Sequence, residues 1–386
     1  MPIRSMTIAE FDEYLKCGLG RCVQFLESCK DREPYRPSVL NVCLNNPCYD
    51  TQVEGTRDEY IYRLASLYND DDYFVTRIIE KMWRVFDDTD WDFAHLLDLC
   101  WQFAVNGNDM AENAVREAYP KLYGILLERA GMDEIDGYDG ARDSFERVCG
   151  KFLYRYGAPA YESIIIDLGE LFLRGKRYSA DDFDWFTFCL YQDFGRDRVR
   201  KFLKEKEQTS PAVRQFREQA ERVIAEFDRL RNSATGGESW ARRKRALEEE
   251  RNNITARERA EIRAVAIALL ESGENIGEAI EKLVQFYEPT DGELLIDSLY
   301  KMEIDVDEES GWHGAMLEIL RRFNDGVDLP REALEFIYER SHCSGCRERA
   351  VLRMDERRWL TDEMKRECLY DSNSDIVDYV KKYFKK

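Results

Sequence analysis

Apolar residues recur at intervals of three and four positions along almost the whole chain, in segments of about ten to sixteen residues separated by short polar turns. This spacing puts the apolar side chains on one stripe of a helix, which must pack against a neighbour to be buried. The alternating pattern of a strand is almost absent. The sequence therefore predicts an all-α protein in which short turns join antiparallel pairs of helices.

Several helix starts are marked by local chemistry. Thr7 with Glu10, and Thr255 with Glu258, have the spacing of a capping box, in which a hydroxyl and a carboxylate each accept a hydrogen bond from a free backbone N–H. A further helix is expected at about 108–118. So many short helices in series indicate an α–α superhelix, a solenoid of stacked helical hairpins.

At 386 residues the chain is longer than a single compact core usually grows. Its most linker-like stretch is NSATGGES at 232–239. We therefore expect an N-terminal helical-repeat region at 1–231, a linker and charged helix at 232–254, and a C-terminal repeat region at 255–386.

The net charge is −20, from 77 acidic and 57 basic residues. Such a field repels phosphate backbones and anionic membranes, so nucleic acid and membrane are not expected partners. The segment 196–263 is the exception, with 19 Lys and Arg against 13 Asp and Glu. It is the basis of an alternative hypothesis, a helical-repeat protein that binds nucleic acid.

The N-terminus has no apolar stretch of the kind that a signal peptide needs, and no run of 18 apolar residues occurs. A cytoplasmic location is therefore expected. The eleven cysteines are scattered, and several occupy apolar helix positions, which indicates free thiols.

A weak internal repeat is visible where an apolar or small residue precedes an arginine near a helix start. The pairs are Thr56-Arg57, Val115-Arg116, Val213-Arg214, Ile262-Arg263 and Cys346-Arg347. Alanine follows three residues after two of these arginines, at Ala266 and Ala350. In the closing stretch, Asp371 lies in a turn before Ile376, although Val377 stands where an arginine would be.

These positions resemble the HEAT and armadillo class of helical repeats, best over residues 255–386. The resemblance implies structural roles for Arg263, Arg347 and Asp371, because aspartate and arginine tie consecutive repeats together in that class. It also implies that the alanines allow close helix packing. A concave surface that binds proteins is the expected consequence.

One metal site can be built around CSGC at 343–346. Zinc prefers Cys and His at such spacing, so His342, Cys343 and Cys346 could be joined by Cys368 from the next helix. The alternative is that these residues only cap and pack helices, and we favour that interpretation. Two further pairs, Cys17 with Cys22 and Cys43 with Cys48, form a rival four-cysteine set, and packing is again the alternative.

Catalysis has weaker support. The three histidines fall in different helix pairs, and no pair of carboxylates stands out. No catalytic residue is therefore assigned, and the protein is expected not to be an enzyme.

Aromatic residues next to aspartates are suited to holding a cationic ligand. Two such clusters occur, at 83–93 and 181–195. Their candidate binding residues are Trp83, Asp87, Asp88, Asp90, Trp91, Asp181, Asp182, Asp184 and Trp185. Burial in the core is the alternative for most of the aromatics. The sequence favours a non-catalytic scaffold or adaptor that binds a basic peptide or protein surface.

Overall fold

A computed structural model gives the fold and describes residues 5–50, 54, 56–86, 91–131, 139–174, 177–232, 254–304 and 311–384. In these ranges the regular structure is helical throughout, and helices pack mainly on their neighbours in sequence. The predicted all-α class, built from helices stacked on their sequence neighbours, is confirmed.

Twenty α-helices occur in the described residues. The first twelve are α1 (Ile8–Cys17), α2 (Arg21–Ser28), α3 (Arg36–Leu44), α4 (Asp58–Ser66), α5 (Asp71–Arg84), α6 (Trp91–Val105), α7 (Asp109–Arg129), α8 (Gly140–Tyr156), α9 (Ala158–Arg174), α10 (Asp184–Asp193), α11 (Arg196–Lys206) and α12 (Pro211–Asn232). The remaining eight are α13 (Ala256–Ser272), α14 (Ile276–Gln285), α15 (Gly292–Lys301), α16 (Trp312–Asn324), α17 (Arg331–Arg340), α18 (Ser344–Glu356), α19 (Asp362–Cys368) and α20 (Ser374–Lys381). Short 3-10 helices occupy Glu33–Tyr35 and Pro289–Asp291.

The predicted helix starts are present. The Thr7 hydroxyl accepts from Glu10 N at 3.2 Å while the Glu10 carboxylate accepts from Thr7 N at 2.8 Å. Thr255 and Glu258 make the same reciprocal pair. Both capping boxes are thus confirmed, because the motif is local and needs no tertiary partner.

The helix expected at 108–118 is longer than predicted. α7 starts at the expected place, where the Asn108 side chain accepts from Ala111 N, but it continues through Pro120 to Arg129. Leu122 and Leu126 extend its buried stripe beyond the proline. Burial of this stripe outweighs the loss of one backbone hydrogen bond at Pro120.

The chain divides into two compact units. Unit 1 comprises residues 1–74 and 248–386, and unit 2 comprises residues 75–247. The change of unit at 247/248 falls inside the segment predicted as linker and charged helix at 232–254, of which residues 233–253 lie outside the described part of the chain. The grouping of residues 1–74 with the C-terminal segment differs from the prediction of a single N-terminal region at 1–231.

Unit 1 is discontinuous because its two chain segments share one core. Cys17 and Leu19, at the end of α1, belong to the same buried cluster as Ile337 of α17 and Cys368 of α19. α1 also packs directly on α17. The N-terminal helices therefore complete the hydrophobic core of the C-terminal ones.

Two of the predicted repeat arginines form ion pairs with aspartates in later turns. Arg347 Nη2 lies 2.7 Å from Asp371 Oδ1 with both side chains fully buried, and Arg263 contacts Asp291 through Nε at 3.1 Å. Ala266, Ala350 and Ile376 are buried as well. Before residue 255 the pattern is weaker, because Arg116 and Arg214 are exposed.

Across the described residues, no helix is both long enough and apolar enough to span a bilayer.

Candidate functional site

A groove with a volume of about 770 Å³ lies in unit 2 between α8 and α10. We call it the acidic aromatic groove. Its lining residues are Asp143, Glu146, Arg147, Gly150, Leu153, Tyr154, Trp185, Phe186, Cys189, Asp193 and Phe194.

Two aromatic rings stand exposed in this groove. Tyr154 is 82% exposed and Trp185 is 62% exposed. The Trp185 ring stacks on Phe188 with 5.7 Å between centroids, and Phe188 stacks in turn on Phe227 at 4.6 Å. This stack supports the Trp185 ring while leaving much of its surface available to a ligand.

The polar residues in the groove are mostly acidic. Asp143, Glu146 and Asp193 contribute three carboxyl groups, and Arg147 is the basic residue in the lining. Arg147 is already bound to a carboxylate of unit 2, since its Nη1 lies 3.0 Å from Asp98 Oδ2. Asp143 is also paired within the chain, since Arg142 Nη2 lies 3.0 Å from its Oδ1. The groove therefore presents aromatic faces together with the carboxyl groups of Glu146 and Asp193 and this paired aspartate.

Glu146 is the most perturbed of these groups. Burial raises the pKa of its carboxyl to about 8, and the neighbouring Asp143 and Asp184 add to the rise. A carboxyl in this setting gains from a cation placed beside it, because the cation stabilises the ionised form.

The candidate aspartates at 181–184 have different roles. Asp181 pairs with Arg222, and Asp182 Oδ2 accepts from Ser179 N at 2.8 Å and caps its own turn. Asp184 is exposed and close enough to Glu146 to raise its pKa. Of this predicted cluster, the groove lining contains Trp185.

Of the other predicted cluster, Trp83 is the candidate whose side chain the structure describes, and it is not among the groove lining. Trp83 is half-buried, and Lys121 Nζ lies 4.1 Å from the centre of its ring, so a cation from the same chain already covers it. Asp87, Asp88 and Asp90 lie outside the described residues, as does the side chain of Trp91.

A second cluster, in unit 1, brings together three metal-ligand atoms. The sulfurs of Cys343 and Cys346 and a ring nitrogen of His313 all lie within 4.8 Å of one another. Cys343 occupies the N-cap position of α18 and Cys346 lies in its first turn, while His313 is the second residue of α16. Helices α16 and α18 pack directly on each other. We call this the Cys343 cluster.

The two thiols of this cluster are buried, and each changes the pKa of the other. Cys343 is 6% exposed and Cys346 is 1% exposed. Hydrogen bonds from Cys346 and His313 lower the pKa of Cys343, whereas its interaction with Cys343 raises the pKa of Cys346. The pair therefore favours one thiolate, on Cys343, held by its two neighbours.

His313 is fixed in place by aromatic contacts. The Tyr49 hydroxyl lies 3.3 Å from His313 Nδ1, and the two ring centroids are 4.9 Å apart. Tyr49 also packs edge-on against Trp312 at 4.8 Å. The imidazole thus needs little reorganisation to act as a ligand.

Of the four residues considered as a metal set, Cys343 and Cys346 lie together, whereas His342 and Cys368 are not in their cluster. The His342 backbone carbonyl accepts from Arg57 Nη2 at 2.6 Å, and His342 is not in the cluster that holds Cys343. The Cys368 thiol lies 3.6 Å from the Tyr338 hydroxyl instead. Both residues are buried in the core of unit 1, where they have packing roles.

The rival set of four N-terminal cysteines does not form a cluster. Among the described residues, the Cys343 cluster alone brings three potential metal ligands of the His, Cys, Asp and Glu types close together. Cys17, Cys22 and Cys43 are fully buried, and burial raises their pKa values. They act as small apolar residues of the core.

Part of the basic segment is paired with carboxylates where it is described. Arginines of α11 and α12 bind carboxylates of unit 2 in the pairs Arg196–Asp228, Arg200–Glu221, Arg217–Glu207, Arg222–Asp181 and Arg229–Glu226. Residues 233–253, which carry the ARRKR run, lie outside the described part. These five arginines are therefore already engaged within the chain.

Sequence reasoning missed the residues that tertiary packing supplies. Glu146 and Tyr154 of α8 face Trp185 of α10, and nothing in their own segment marks them. His313 comes from a different helix pair than CSGC, and the only signal that could have led to it is the Cys-x-x-Cys spacing itself, which favours a partner ligand elsewhere in the chain.

In comparisons with protein-family models, curated proteins and solved structures, none matched this chain.

Proposed function

We propose that the protein is a non-catalytic interaction module that binds an arginine-bearing segment of a partner protein in the acidic aromatic groove. The supporting observation is that Trp185 and Tyr154 stand exposed beside Glu146, Asp143 and Asp193 in one cavity.

Arginine fits this chemistry better than other side chains. Its planar guanidinium stacks on aromatic faces and binds carboxylates through paired N–H groups. Lysine offers a point charge without the planar stacking surface. A volume of about 770 Å³ lies in the range of side-chain and small-ligand sites rather than of a broad flat interface.

The overall charge supports the same partner class. With a net charge of −20, the chain attracts basic surfaces over long range and repels nucleic acid. The groove would then convert a general attraction into specific binding, since its aromatic contacts survive at salt concentrations that screen surface charge.

The direct test is the affinity of the full chain for a labelled oligoarginine peptide, measured by fluorescence anisotropy at about 0.15 M salt. Trp185→Ala should weaken binding at least about tenfold, or about 1.4 kcal/mol. Glu146→Gln should weaken it to a similar extent at about pH 9, where the Glu146 carboxyl is ionised. Asp181→Asn is the matched control, since Asp181 lies outside the groove lining and pairs with Arg222.

The same assay should depend on pH in a defined direction. The pKa of Glu146 is raised to about 8, so the carboxyl is mostly neutral near pH 7 and ionises as the pH rises. Arginine keeps its charge throughout. Affinity should therefore increase between about pH 7 and about pH 9, and this increase should be absent in Glu146→Gln.

Equal affinities for the wild type, Trp185→Ala and Glu146→Gln would reject the groove as the binding site. Binding of duplex DNA in preference to oligoarginine at low salt would reject the proposed partner class and favour the nucleic-acid alternative.

A further inference from the structure

The Cys343 cluster is a second site, and its chemistry is independent of the groove. It joins two chain segments, because the sulfurs are at the start of α18 and the imidazole is at the start of α16. Ordinary core packing does not require two thiols and an imidazole to converge.

The spacing of the three atoms suits a tetrahedral ion. With Zn–S bonds of about 2.3 Å and Zn–N bonds of about 2.0 Å, ligand atoms of a zinc site are separated by roughly 3.3–3.8 Å. The three atoms already lie within 4.8 Å of one another, so an ion needs only side-chain rotation to bring them into range. One position of the tetrahedron remains for a ligand from outside the cluster.

The chemistry of the three side chains also fits a cation. Thiolate sulfur and imidazole nitrogen are ligands that Zn²⁺ prefers, and a divalent ion displaces thiol protons when it binds. Tyr49 contacts Nδ1 of His313, as partners of metal-bound histidines commonly do when they orient the ring.

A dithiol in a Cys-x-x-Cys motif can instead exchange disulfides with other proteins. That chemistry requires a partner thiolate to reach one of the sulfurs along a defined line of attack. With Cys343 6% exposed and Cys346 1% exposed, a protein thiol has little access. An ion is small enough to enter beside the half-buried His313.

We propose that Cys343, Cys346 and His313 form a binding site for a thiophilic divalent metal ion of the Zn²⁺ class. The bound ion links α16 to α18 and stabilises unit 1. It is a structural site, since both sulfurs are buried and the three ligands are carried by the starts of two packed helices.

The test uses the full chain, purified with reduced thiols and stripped of metal, and titrated with Co²⁺. The expected result is one equivalent of bound Co²⁺ with thiolate-to-cobalt charge-transfer bands, displaced by Zn²⁺. Cys343→Ser and Cys346→Ser should abolish these bands, and His313→Gln should weaken binding at least about tenfold. Zn²⁺ should also raise the melting temperature of the wild type.

Cys368→Ser and His342→Ala are matched controls, because these residues belong to the set first expected from the sequence and lie outside the cluster. Both should bind Co²⁺ as the wild type does. If a cysteine variant fails to fold, Co²⁺ binding is compared between the wild type and His313→Gln, because His313 is only half-buried.

Three results would overturn the proposal. The first is the absence of charge-transfer bands in a protein whose Cys343 and Cys346 thiols are shown by titration to be reduced. The second is unchanged Co²⁺ binding in Cys343→Ser. The third is a reversible Cys343–Cys346 disulfide in a protein that takes up no metal. None of these results bears on peptide binding in unit 2, so the two proposals fail separately.

Discussion

Arg347 is among the largest fully buried side chains of the described residues, and it carries a charge. Its Nη2 atom lies 2.7 Å from Asp371 Oδ1 and 3.1 Å from Ser372 Oγ. An ion pair without solvent access gains little over an apolar pair, but either charge left alone is costly. The pair therefore fixes the position of the turn before α20 relative to α18.

Removing the charge of Arg347 should destabilise unit 1. Arg347→Met should lower the free energy of unfolding of unit 1 by about 3–5 kcal/mol, because Asp371 is left buried without its partner. Urea unfolding followed by circular dichroism measures this. The control is Arg353→Met, at a solvent-exposed pair with Glu356, which should cost under about 1 kcal/mol. Similar losses in the two variants would contradict the role given to Arg347.

The turn between α1 and α2 shows how elements constrain one another. Gly18 ends α1 with a φ of 75°, and its carbonyl accepts from Ser372 N at 2.9 Å. A Cβ at this position would lie 2.0 Å from Ser372 Oγ. Gly273 ends α13 with a φ of 77°, but a Cβ there would meet nothing within 4 Å.

These two glycines allow conformational strain to be separated from packing. Gly273→Ala should destabilise unit 1 by about 1 kcal/mol, the cost of a left-handed backbone for an L-residue. Gly18→Ala should cost that amount and a further 1–3 kcal/mol or so, because the turn before α20 must move away. Thermal unfolding of both variants measures the difference. Equal costs would show that the contact with Ser372 is easily relieved.

The two ends of the chain belong to the same compact unit. Residues 1–74 and 248–386 form one unit, into which residues 75–247 are inserted in sequence. Arg57 shows the connection, since its guanidinium donates to the carbonyls of Lys16 and His342 at 2.6 Å each and binds Glu54 at 2.7 Å. A C-terminal fragment alone would expose the core surface that α1 and α2 cover.

We therefore predict that a fragment of residues 248–386 unfolds without a sharp cooperative transition when isolated. Adding a fragment of residues 1–74 should restore cooperativity, since the two segments share one core. Scanning calorimetry of each fragment and of their mixture measures this. A cooperative transition of the isolated C-terminal fragment, unchanged by the other, would instead support the boundary predicted from the sequence.

The candidate sites show which residues of a site can be recognised from the sequence alone. Trp185 stood out because aspartates flank it, and Cys343 and Cys346 because two residues separate them. Their partners could not be found in this way, since Glu146 and His313 come from helices remote in sequence. Cys368 is in the next helix along the chain, yet the helix that brings a third ligand to Cys343 and Cys346 is α16, which packs against α18.

By itself the sequence determined the all-α class, both capping boxes and the start of α7, because hydrophobic period and helix capping depend on residues within a few positions of one another. Only the tertiary structure decided which helices meet. Unit 1 closes between distant chain segments, α7 runs through Pro120, and the groove and the Cys343 cluster form where separate helices pack. Such contacts depend on the burial of whole helix faces, and short-range sequence patterns do not encode that choice of neighbour.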